Sequence, residues 1–466
     1  MKRREAAPEP TIPAGRAVVY GWTPVVVLAL TVAVEIGERQ SLAQAVDGLQ
    51  ESFGVSDRAI GILPAAMILI GVVGAFPFGF LADRIRRTGL MAAGMVAWTF
   101  AMALNALAPG YGALFAARLG VGAVEANSPA AVSLLADYYP VRNRAKMMGL
   151  YQSGALVGAM LGLLLGGVAV SLGGWRWAFW MWVPAGAVVA WLVRRLPEPA
   201  RGDQDADFHD DIALLPGTGA AVDPSAMDVT EPLPPPPRVG TLDYATASTR
   251  EVYRELLGIR SMWFGMMALT ISSFLLNGLQ FWSVEYFKRV HDLSAAQAGA
   301  FTAVFGLGAA VGVMGGGFLA DALLRRGVVN ARVYVVAFAS LGASLVLTPA
   351  FLSTNLALTG VLMVVGGTML TLPIAPGDAL VNDVVVAQLR GRAATLRAVV
   401  RSLGAAGPLV VGVLSDAWGI RAAIAGIVPV YAVGGLVMLL AARTYPADLA
   451  FVGAEARRVR RDPEPV

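Results

Sequence analysis

Long apolar runs dominate the pattern of hydrophobic and polar positions along this chain. A helix that crosses a bilayer needs about 20 mostly apolar residues. Twelve runs have roughly this length, and short polar segments separate most of them. They cover residues 18–40, 58–82, 89–108, 112–137, 144–171, 176–195, 260–287, 295–321, 332–350, 354–382, 392–415 and 421–443. The pattern predicts an all-α membrane protein with twelve transmembrane helices.

The segment between the sixth and seventh runs has a different composition. Residues 196–258 contain five aspartates between Asp203 and Asp211, followed by four consecutive prolines at 234–237. Such a stretch cannot bury a core, so it predicts a flexible cytoplasmic linker. The linker separates two six-helix bundles. The predicted divisions of the chain are an N-terminal tail at 1–17, bundles at 18–195 and 259–443, and a C-terminal tail at 444–466.

Basic residues concentrate in alternate loops. The loops that carry them contain Arg84, Arg86, Arg87, Arg142, Arg144, Lys146, Arg325, Arg326, Arg390 and Arg392. The opposite loops are poorer in basic residues, and residues 108–112 and 353–355 contain none. Because loops rich in Lys and Arg stay in the cytoplasm, both termini are predicted to be cytoplasmic. The expected location is the inner or plasma membrane.

The two halves also resemble each other in their polar landmarks. Gly79–Asp83 ends the second run and Gly317–Asp321 ends the eighth; the two segments have the same five residues, and an arginine pair follows each. Arg142–Ala145 corresponds in the same way to Arg390–Ala393. Two halves of six helices in the same orientation are the parallel repeat of the major facilitator architecture.

The loop charges near these repeats are candidates for a gate. A carboxylate at a helix C-terminus is disfavoured unless a cation or another helix N-terminus answers it. We therefore interpret this group as a latch that forms and breaks between the two halves; the alternative is solvated loop charge. The candidate gating residues are Asp83, Arg84, Arg87, Asp137, Arg144 and Asp321.

Charged residues inside the apolar runs are stronger evidence for a functional site than the loop charges are. A charge at mid-bilayer costs several kcal/mol, so it must face a cavity or a partner. The first run contains Glu35, Glu38 and Arg39, and the fourth contains Arg118 and Glu125. Residues seven apart project from nearly the same face of a helix. If substrate competes with a carboxylate for an arginine, proton and substrate binding are linked. The alternative is a static buried ion pair, and Glu35 is assigned to packing.

Further polar residues in the second half are candidates for substrate binding. Arg397 and Arg401 lie four apart on one face of the eleventh run. Asn277 and Gln280 lie on the seventh run. Arg397 could instead extend to the membrane interface, and the amides could instead join neighbouring helices.

Composition excludes several classes of protein. The 466 residues are 56% hydrophobic and 15% charged, whereas soluble domains average about 25% charged. The chain has no cysteine, and its histidines are His209 and His291, so neither a disulfide framework nor a metal centre is expected. The net charge of +4 follows from loop topology and does not predict a nucleic-acid partner. We find no nucleophile–base pair, and we expect neither an enzyme nor a cofactor.

The fourth run resembles one branch of the major facilitators, the Spinster-like transporters. The matching residues are Arg118, Gly122, Glu125, Ala126, Ser128–Ala130, Ser133, Leu134, Ala136, Asp137 and Pro140, with Glu38-Arg39 on the first run. The resemblance implies a proton-coupled carrier of lysophospholipids or sphingoid lipids that works by alternating access. It also implies that Glu38 and Arg39 form a switchable pair, and that Glu125 takes the proton with Arg118 as its partner. The expected partners are membrane lipids, an amphiphilic small molecule and protons, and the expected state is a monomer.

Two other functions remain open. The same fold could be a multidrug or small-metabolite proton antiporter, or a receptor or scaffold whose linker recruits a cytoplasmic partner. Lipid carriage predicts a cavity with one polar and one long apolar end, open sideways to the bilayer. A metabolite carrier predicts a closed, polar pocket.

Overall fold

A computed structural model of the chain describes residues 20–125, 128–139, 141–199, 248–386 and 389–461. In these ranges all the regular structure is helical. The helices of the N-terminal half are α1 (Thr23–Gln44), α2 (Val46–Phe53), α3 (Asp57–Arg84), α4 (Arg87–Leu107), α5 (Tyr111–Val124), α6 (Ser128–Tyr138), α7 (Val141–Gly173), α8 (Trp177–Trp180) and α9 (Trp182–Arg194).

The C-terminal half begins with a short helix and ends with one outside the bundle. Its helices are α10 (Thr249–Leu257), α11 (Arg260–His291), α12 (Ala295–Arg325), α13 (Ala331–Leu352), α14 (Leu356–Thr371), α15 (Ile374–Asp383), α16 (Arg390–Ser402), α17 (Gly407–Trp418), α18 (Ile420–Ile427), α19 (Val430–Ala441) and α20 (Tyr445–Arg461). A short 3-10 segment, Leu403–Ala406, joins α16 to α17.

The prediction of twelve membrane-crossing passes is confirmed. Ten helical segments of the described chain are long and apolar enough to cross a bilayer. The other two are α1, whose three charged side chains lower its hydropathy, and the fourth pass, which is described as α5 and α6 on either side of Glu125. The tenth pass is interrupted at Leu372 and Pro373, because proline has no backbone N–H and disfavours helix at the residue before it.

The passes alternate in direction, so the connecting loops lie on two faces. We call one the Asp57 face, which holds Asp47, Asp57, Arg289 and Asp416. We call the other the Arg87 face, which holds Arg87, Asp137, Glu198, Asp383 and Tyr445.

The end of the predicted linker at 196–258 is helical instead of flexible. Ser248 caps α10, because its Oγ accepts from the backbone N–H of Glu251 while the Glu251 carboxylate accepts from the backbone N–H of Ser248 at 2.9 Å. Val252 and Leu256 are fully buried in the apolar core of the C-terminal half. The capping box from Ser248 to Glu251 and the spacing of Val252 and Leu256 by four residues are a sequence signal that could have predicted this helix.

The predicted tail at 444–466 likewise forms a helix over most of its length. The Asp448 carboxylate accepts from Ser261 Oγ at 2.6 Å and from the Ser261 backbone N–H at 3.3 Å. Tyr445 donates its hydroxyl to Asp383 at 2.7 Å. These bonds tie α20 to the first and fourth passes of its half.

Close packing of the first and fifth passes positions the charged residues of α1. A Cβ added to Gly158 of α7 would lie 2.2 Å from the backbone oxygen of Ala33. Glycine is required there because real side chains do not approach backbone atoms so closely. Small residues at such crossings let membrane helices pack with their backbones in contact.

We expect Gly158→Ala to lower the melting temperature of the detergent-solubilised protein, because overpacking typically costs about 1–3 kcal/mol. The matched control is Gly149→Ala on the same helix, where an added Cβ meets no atom within 4 Å. In a helix interior that control should be neutral or stabilising, because alanine favours helix over glycine by about 1 kcal/mol. Equal melting temperatures for the two variants would contradict the close packing.

Candidate functional site

A cavity of about 600 Å³ lies between the two halves. Four of the residues assigned to substrate binding line it: Arg39, Arg118, Asn277 and Gln280. Most of the remaining wall is apolar, from Ile36, Leu42, Met67, Ile68, Leu156, Leu276, Phe281, Val313, Met314 and Ile374. The cavity therefore combines a cationic side on the N-terminal half with a long apolar lining.

Two ion pairs join the first and fourth passes beside this cavity. Arg118 donates from Nη2 to Glu38 Oε1 at 2.5 Å, and both side chains are fully buried. Arg39 donates from Nη2 to Glu125 Oε2. The Arg39 side chain is 36% exposed, whereas that of Glu125 is 3% exposed. Arginine thus lies between the cavity and the Glu125 carboxylate.

The pairing differs from the one that the family resemblance implied. Glu38 pairs with Arg118 instead of Arg39, and Glu125 pairs with Arg39 instead of Arg118. Adjacent residues on a helix do not face each other, so Glu38 and Arg39 point in different directions. Residues seven apart are separated by about 10 Å along the helix axis, too far for a direct bond between Arg118 and Glu125.

A third carboxyl group belongs to the same cluster. Glu35 is buried and interacts electrostatically with Glu125 and Arg39, although the sequence pattern assigned it to packing. The cluster therefore holds three carboxyl groups and two guanidinium groups. Within the described part of the chain, Oε1 of Glu35, Oε2 of Glu38 and Nε of both arginines have no hydrogen-bond partner.

Aromatic and sulfur groups fix the orientation of the cluster. Trp98 donates from Nε1 to Glu125 Oε1 at 3.4 Å. The Phe179 ring lies 4.8 Å from the guanidinium carbon of Arg118, a cation–π distance, and Met67 Sδ lies 3.7 Å from Nη1. These neighbours hold Arg118 in place without neutralising its charge.

The other two arginines assigned to substrate binding form a separate cluster. Arg397 and Arg401 lie 3.4 Å and 3.6 Å from the carboxylate oxygens of Asp378. Arg401 also donates to Ser273 Oγ at 2.9 Å, one helical turn before Asn277. Neither arginine is among the residues that line the 600 Å³ cavity.

Three of the six candidate gating residues form ion pairs within their own half: Arg87, Asp137 and Asp321. Arg87 bonds to Asp137, and also to Glu198 at 3.0 Å. Asp321 lies 4.0 Å from Arg332. These pairs do not join the two halves. Arg84 is exposed; the side chains of Asp83 and Arg144 lie outside the described residues.

Glu198 strengthens the Arg87 cluster at neutral pH. Burial would raise the pKa of Glu198, but hydrogen bonds from Thr88 and Arg87 outweigh burial and hold that pKa below its ordinary value. A carboxylate with a lowered pKa stabilises the fold above its unfolded-state pKa, and this stabilisation is lost as the pH falls through the lowered value.

The bonds that do join the halves lie on the Asp57 face. Arg289 bonds to Asp57 through two nitrogens, at 2.7 Å and 2.9 Å. The Asp416 carboxylate accepts from the backbone N–H groups of Asp57 and Arg58 at 2.8 Å and 3.0 Å, which caps the N-terminus of α3. A bidentate pair of this kind is among the stronger charge-assisted bonds.

A second ion pair across the halves joins Lys288 and Asp47. Burial would raise the pKa of Asp47, but its hydrogen bonds with Glu285 and Lys288 outweigh burial and hold that pKa below its ordinary value. Sequence reasoning missed this group. Glu285, Lys288 and Arg289 are spaced at three and four residues on one helix, a charge pattern that could have identified it.

Comparisons with known proteins concern the family and the fold. A sequence model of the family described as Major Facilitator Superfamily matches residues 28–406. Protein spinster of Drosophila melanogaster is 25% identical over 85% of this chain, but the match covers 62% of the fly protein, which is less than two thirds of its length. D-galactonate transporter of Escherichia coli O6:H1 is 27% identical over 65% of this chain and 67% of the bacterial protein.

The chain is also similar to a mammalian transporter and to a solved bacterial structure. Sphingosine-1-phosphate transporter SPNS2 of Mus musculus is 28% identical over 38% of this chain and 34% of the mouse protein. The crystal structure of a bacterial homolog to the human lysosomal transporter Spinster, inward-facing and unoccupied, has a TM-score of 0.73. It is 21% identical and covers 92% of this chain and 98% of its own, which shows a shared fold.

We expect Arg289→Gln to loosen the Asp57 face, because it removes both ion-pair bonds to Asp57. The chain has no cysteine, so spin labels can be placed at Glu51→Cys and Thr354→Cys, two exposed positions on opposite halves. Double electron–electron resonance should detect an added population with a longer distance between the two labels. Arg176→Gln is the control, since Arg176 contacts the Ala108 oxygen in its own half. An unchanged distance distribution in Arg289→Gln would contradict the assignment.

Proposed function

Because the chain belongs to the major facilitator superfamily, we propose that it is a proton-coupled secondary transporter that moves an amphiphilic, lipid-like substrate by alternating access. The observation that carries this proposal is the pairing of Arg39 with Glu125 and of Arg118 with Glu38 beside a largely apolar cavity. A transporter of this kind changes no covalent bond of its substrate, so the proposed activity needs neither an enzyme's nucleophile nor a cofactor.

The charge count of the cluster supports proton binding. Three carboxyl groups and two guanidinium groups leave one carboxylate in excess when all five are ionised. An unpaired charge is costly inside a membrane protein, so a single proton on Glu35, Glu38 or Glu125 would make the cluster neutral. Glu125 and Glu38 are the proposed coupling residues, because each holds an arginine that lines the cavity.

The same pairs offer a route from substrate to proton. Arg39 and Arg118 line the cavity; the Arg39 side chain is 36% exposed, whereas that of Arg118 is buried. An anionic or zwitterionic headgroup that bonded to Arg39 would compete with Glu125, and one that reached the buried Arg118 would compete with Glu38. The released carboxylate would then favour a proton, so substrate and proton would bind together.

The cavity wall supports an amphiphilic substrate. Its lining is mainly apolar, and its polar residues are Arg39, Gln40, Arg118, Gln152, Ser153, Asn277, Gln280 and Thr371. SPNS2 of the mouse is named for transport of sphingosine-1-phosphate, a lipid with a charged headgroup and a long chain. A carrier for such a molecule needs cationic groups and a long apolar wall in one cavity.

Two helices that line the cavity offer a sideways opening. On the Asp57 face α7 and α12 are in close contact, because a Cβ on Gly299 would lie 2.5 Å from the Leu163 oxygen. Further along the same helices, Leu156 and Met314 line the cavity and are 40% and 69% exposed. An opening between α7 and α12 would let a lipid pass from the bilayer into the cavity.

Alternating access requires contacts that form on one face while the other opens. The bonds described between the halves lie on the Asp57 face, whereas the ion pairs of Arg87 and Asp321 stay inside each half. The loops of the Arg87 face carry the excess of arginine, so we assign that face and both termini to the cytoplasm. The proposed state is inward-facing, with Asp83, Arg84, Arg87, Asp137, Arg144 and Asp321 available to a latch in the opposite state.

A small-metabolite carrier is the second candidate. The similarity to the D-galactonate transporter of Escherichia coli favours it, because that match covers 65% of this chain. An organic anion could bond to the same two arginines without using the apolar wall. Transport of labelled D-galactonate but not of labelled lysophospholipid by reconstituted protein would decide for this alternative.

We expect Glu125→Gln to lower proton-driven lysophospholipid flux in proteoliposomes at least tenfold while leaving the fold intact, because glutamine cannot exchange the proton. The measurement is uptake of labelled lysophospholipid with and without a pH gradient. Glu51→Gln, an exposed carboxylate on the Asp57 face, is the matched control and should retain flux. Flux that ignored the gradient in the unmodified protein would overturn the proton mechanism.

We expect Met314→Trp to reduce lysophospholipid flux severalfold, because the larger side chain would narrow the opening between α7 and α12. Phe338→Trp on α13 is the control, since Phe338 is 61% exposed and does not line the cavity. Initial rates of the two variants should be compared at equal reconstituted protein. Equal rates would argue against a lateral path for the substrate.

A further inference from the structure

A second large cavity lies outside the central one, as a groove between α4 and α9. Its volume is about 1,160 Å³, which exceeds the roughly 300–1,000 Å³ of most small-molecule pockets. Its apolar lining includes Ala93, Ala97, Phe100, Ala187 and Trp191. All five are exposed and lie on α4 or α9, which belong to membrane-crossing passes, so we expect the groove to open to lipid, separate from the proposed transport path.

Small side chains along both helices create the groove. Ala93 and Ala97 of α4 and Ala187 of α9 are all exposed, so they lie on the surface and do not fill the space between the helices. The larger Phe100 and Trp191 form part of its walls. A bulky membrane-facing surface would leave no such depression.

The end of the groove on the Arg87 face is cationic. Arg194, the last residue of α9, lines the groove and is exposed. Arg86 is exposed one turn before Gly89, which also lines the groove. Within the described residues neither guanidinium forms an ion pair with a carboxylate. The adjacent Arg195 packs on the Trp191 ring at 4.2 Å, which adds a third cation to this end.

We propose that this groove is a binding site for an anionic phospholipid of the leaflet at the Arg87 face. One acyl chain lies along the apolar lining, and the phosphate-bearing headgroup bonds to Arg194 and Arg86. From Gly89 to Ala103 the lining of α4 spans fourteen residues, or about 21 Å at 1.5 Å per residue, which suits an extended acyl chain. Basic pockets between membrane helices are a recurring site for anionic lipid headgroups.

The charge distribution favours a lipid over the other occupants. A soluble anion would use the arginines but not the apolar lining. A second copy of the chain could pack a helix against the small residues of α4, but it would leave Arg194 and Arg86 without counter-charge. An anionic phospholipid satisfies both ends of the groove.

Native mass spectrometry of the full chain, released from detergent with defined lipids, tests the proposal. The probes are phosphatidylglycerol and phosphatidylcholine of the same chain length. The unmodified protein should retain phosphatidylglycerol preferentially. Arg194→Gln should weaken its retention about fivefold, since one cation near anionic lipid contributes about 1 kcal/mol and 1.4 kcal/mol is a factor of ten. Ala97→Trp should weaken retention of phosphatidylglycerol by filling the groove.

Matched controls separate the site from general effects on lipid contact. Arg390→Gln removes an exposed cation on the Arg87 face of the other half, and Leu345→Trp adds a tryptophan at a residue 78% exposed on α13. Both should retain phosphatidylglycerol like the unmodified protein. Equal retention of the two lipids, or no loss in either groove variant, would overturn the proposal. Loss of a dimer in Ala97→Trp would overturn it in favour of a second copy.

Discussion

The cost of placing ionised groups inside a bilayer is the constraint on which this structure depends. Arg118 and Glu38 have no exposed side-chain surface, so the charge of each would be too costly to bury without the other. Removing one partner of such a buried pair typically costs about 3–5 kcal/mol, because the remaining charge has no counter-charge. The pairing joins α1 to α5, while close packing against α7 positions α1. It also leaves Arg39 partly exposed to the cavity with Glu125 behind it. The position of the cavity follows from this arrangement.

A second set of charges on the Asp57 face determines how the halves meet. The ion pair of Arg289 with Asp57 and the cap that Asp416 provides to α3 both cross between the halves. On the opposite face the pairs of Arg87 and Asp321 stay within one half. The Asp57 side chain is 6% exposed and that of Arg289 is 32% exposed, so this pair is only partly accessible to water. In the proposed cycle, binding of a proton and a headgroup at the buried cluster changes which bonds form between the halves, those of the Asp57 face or those of the Arg87 face.

Much of the fold follows from the sequence, because a bilayer requires about 20 apolar residues for each pass and the polar landmarks repeat between the halves. The sequence also indicated the residues of the buried cluster, since Glu38, Arg39, Arg118 and Glu125 are costly anywhere but beside a partner. It could not assign the partners. Spacing along one helix shows which residues share a face, but the rotation of α1 against α5 decides that Glu38 meets Arg118. For the same reason Glu35 was assigned to packing, and the contacts of Arg289 were not foreseen.

The central claim is that substrate and proton bind to the same buried cluster. The most direct measurement is the change in bound protons when lysophospholipid is added to the purified protein in weakly buffered detergent solution. A headgroup that displaces a carboxylate from its arginine should cause uptake of up to one proton per protein, and Glu125→Gln should reduce that uptake. Saturable binding of lysophospholipid with no proton uptake at any pH between 5 and 8 would contradict the account.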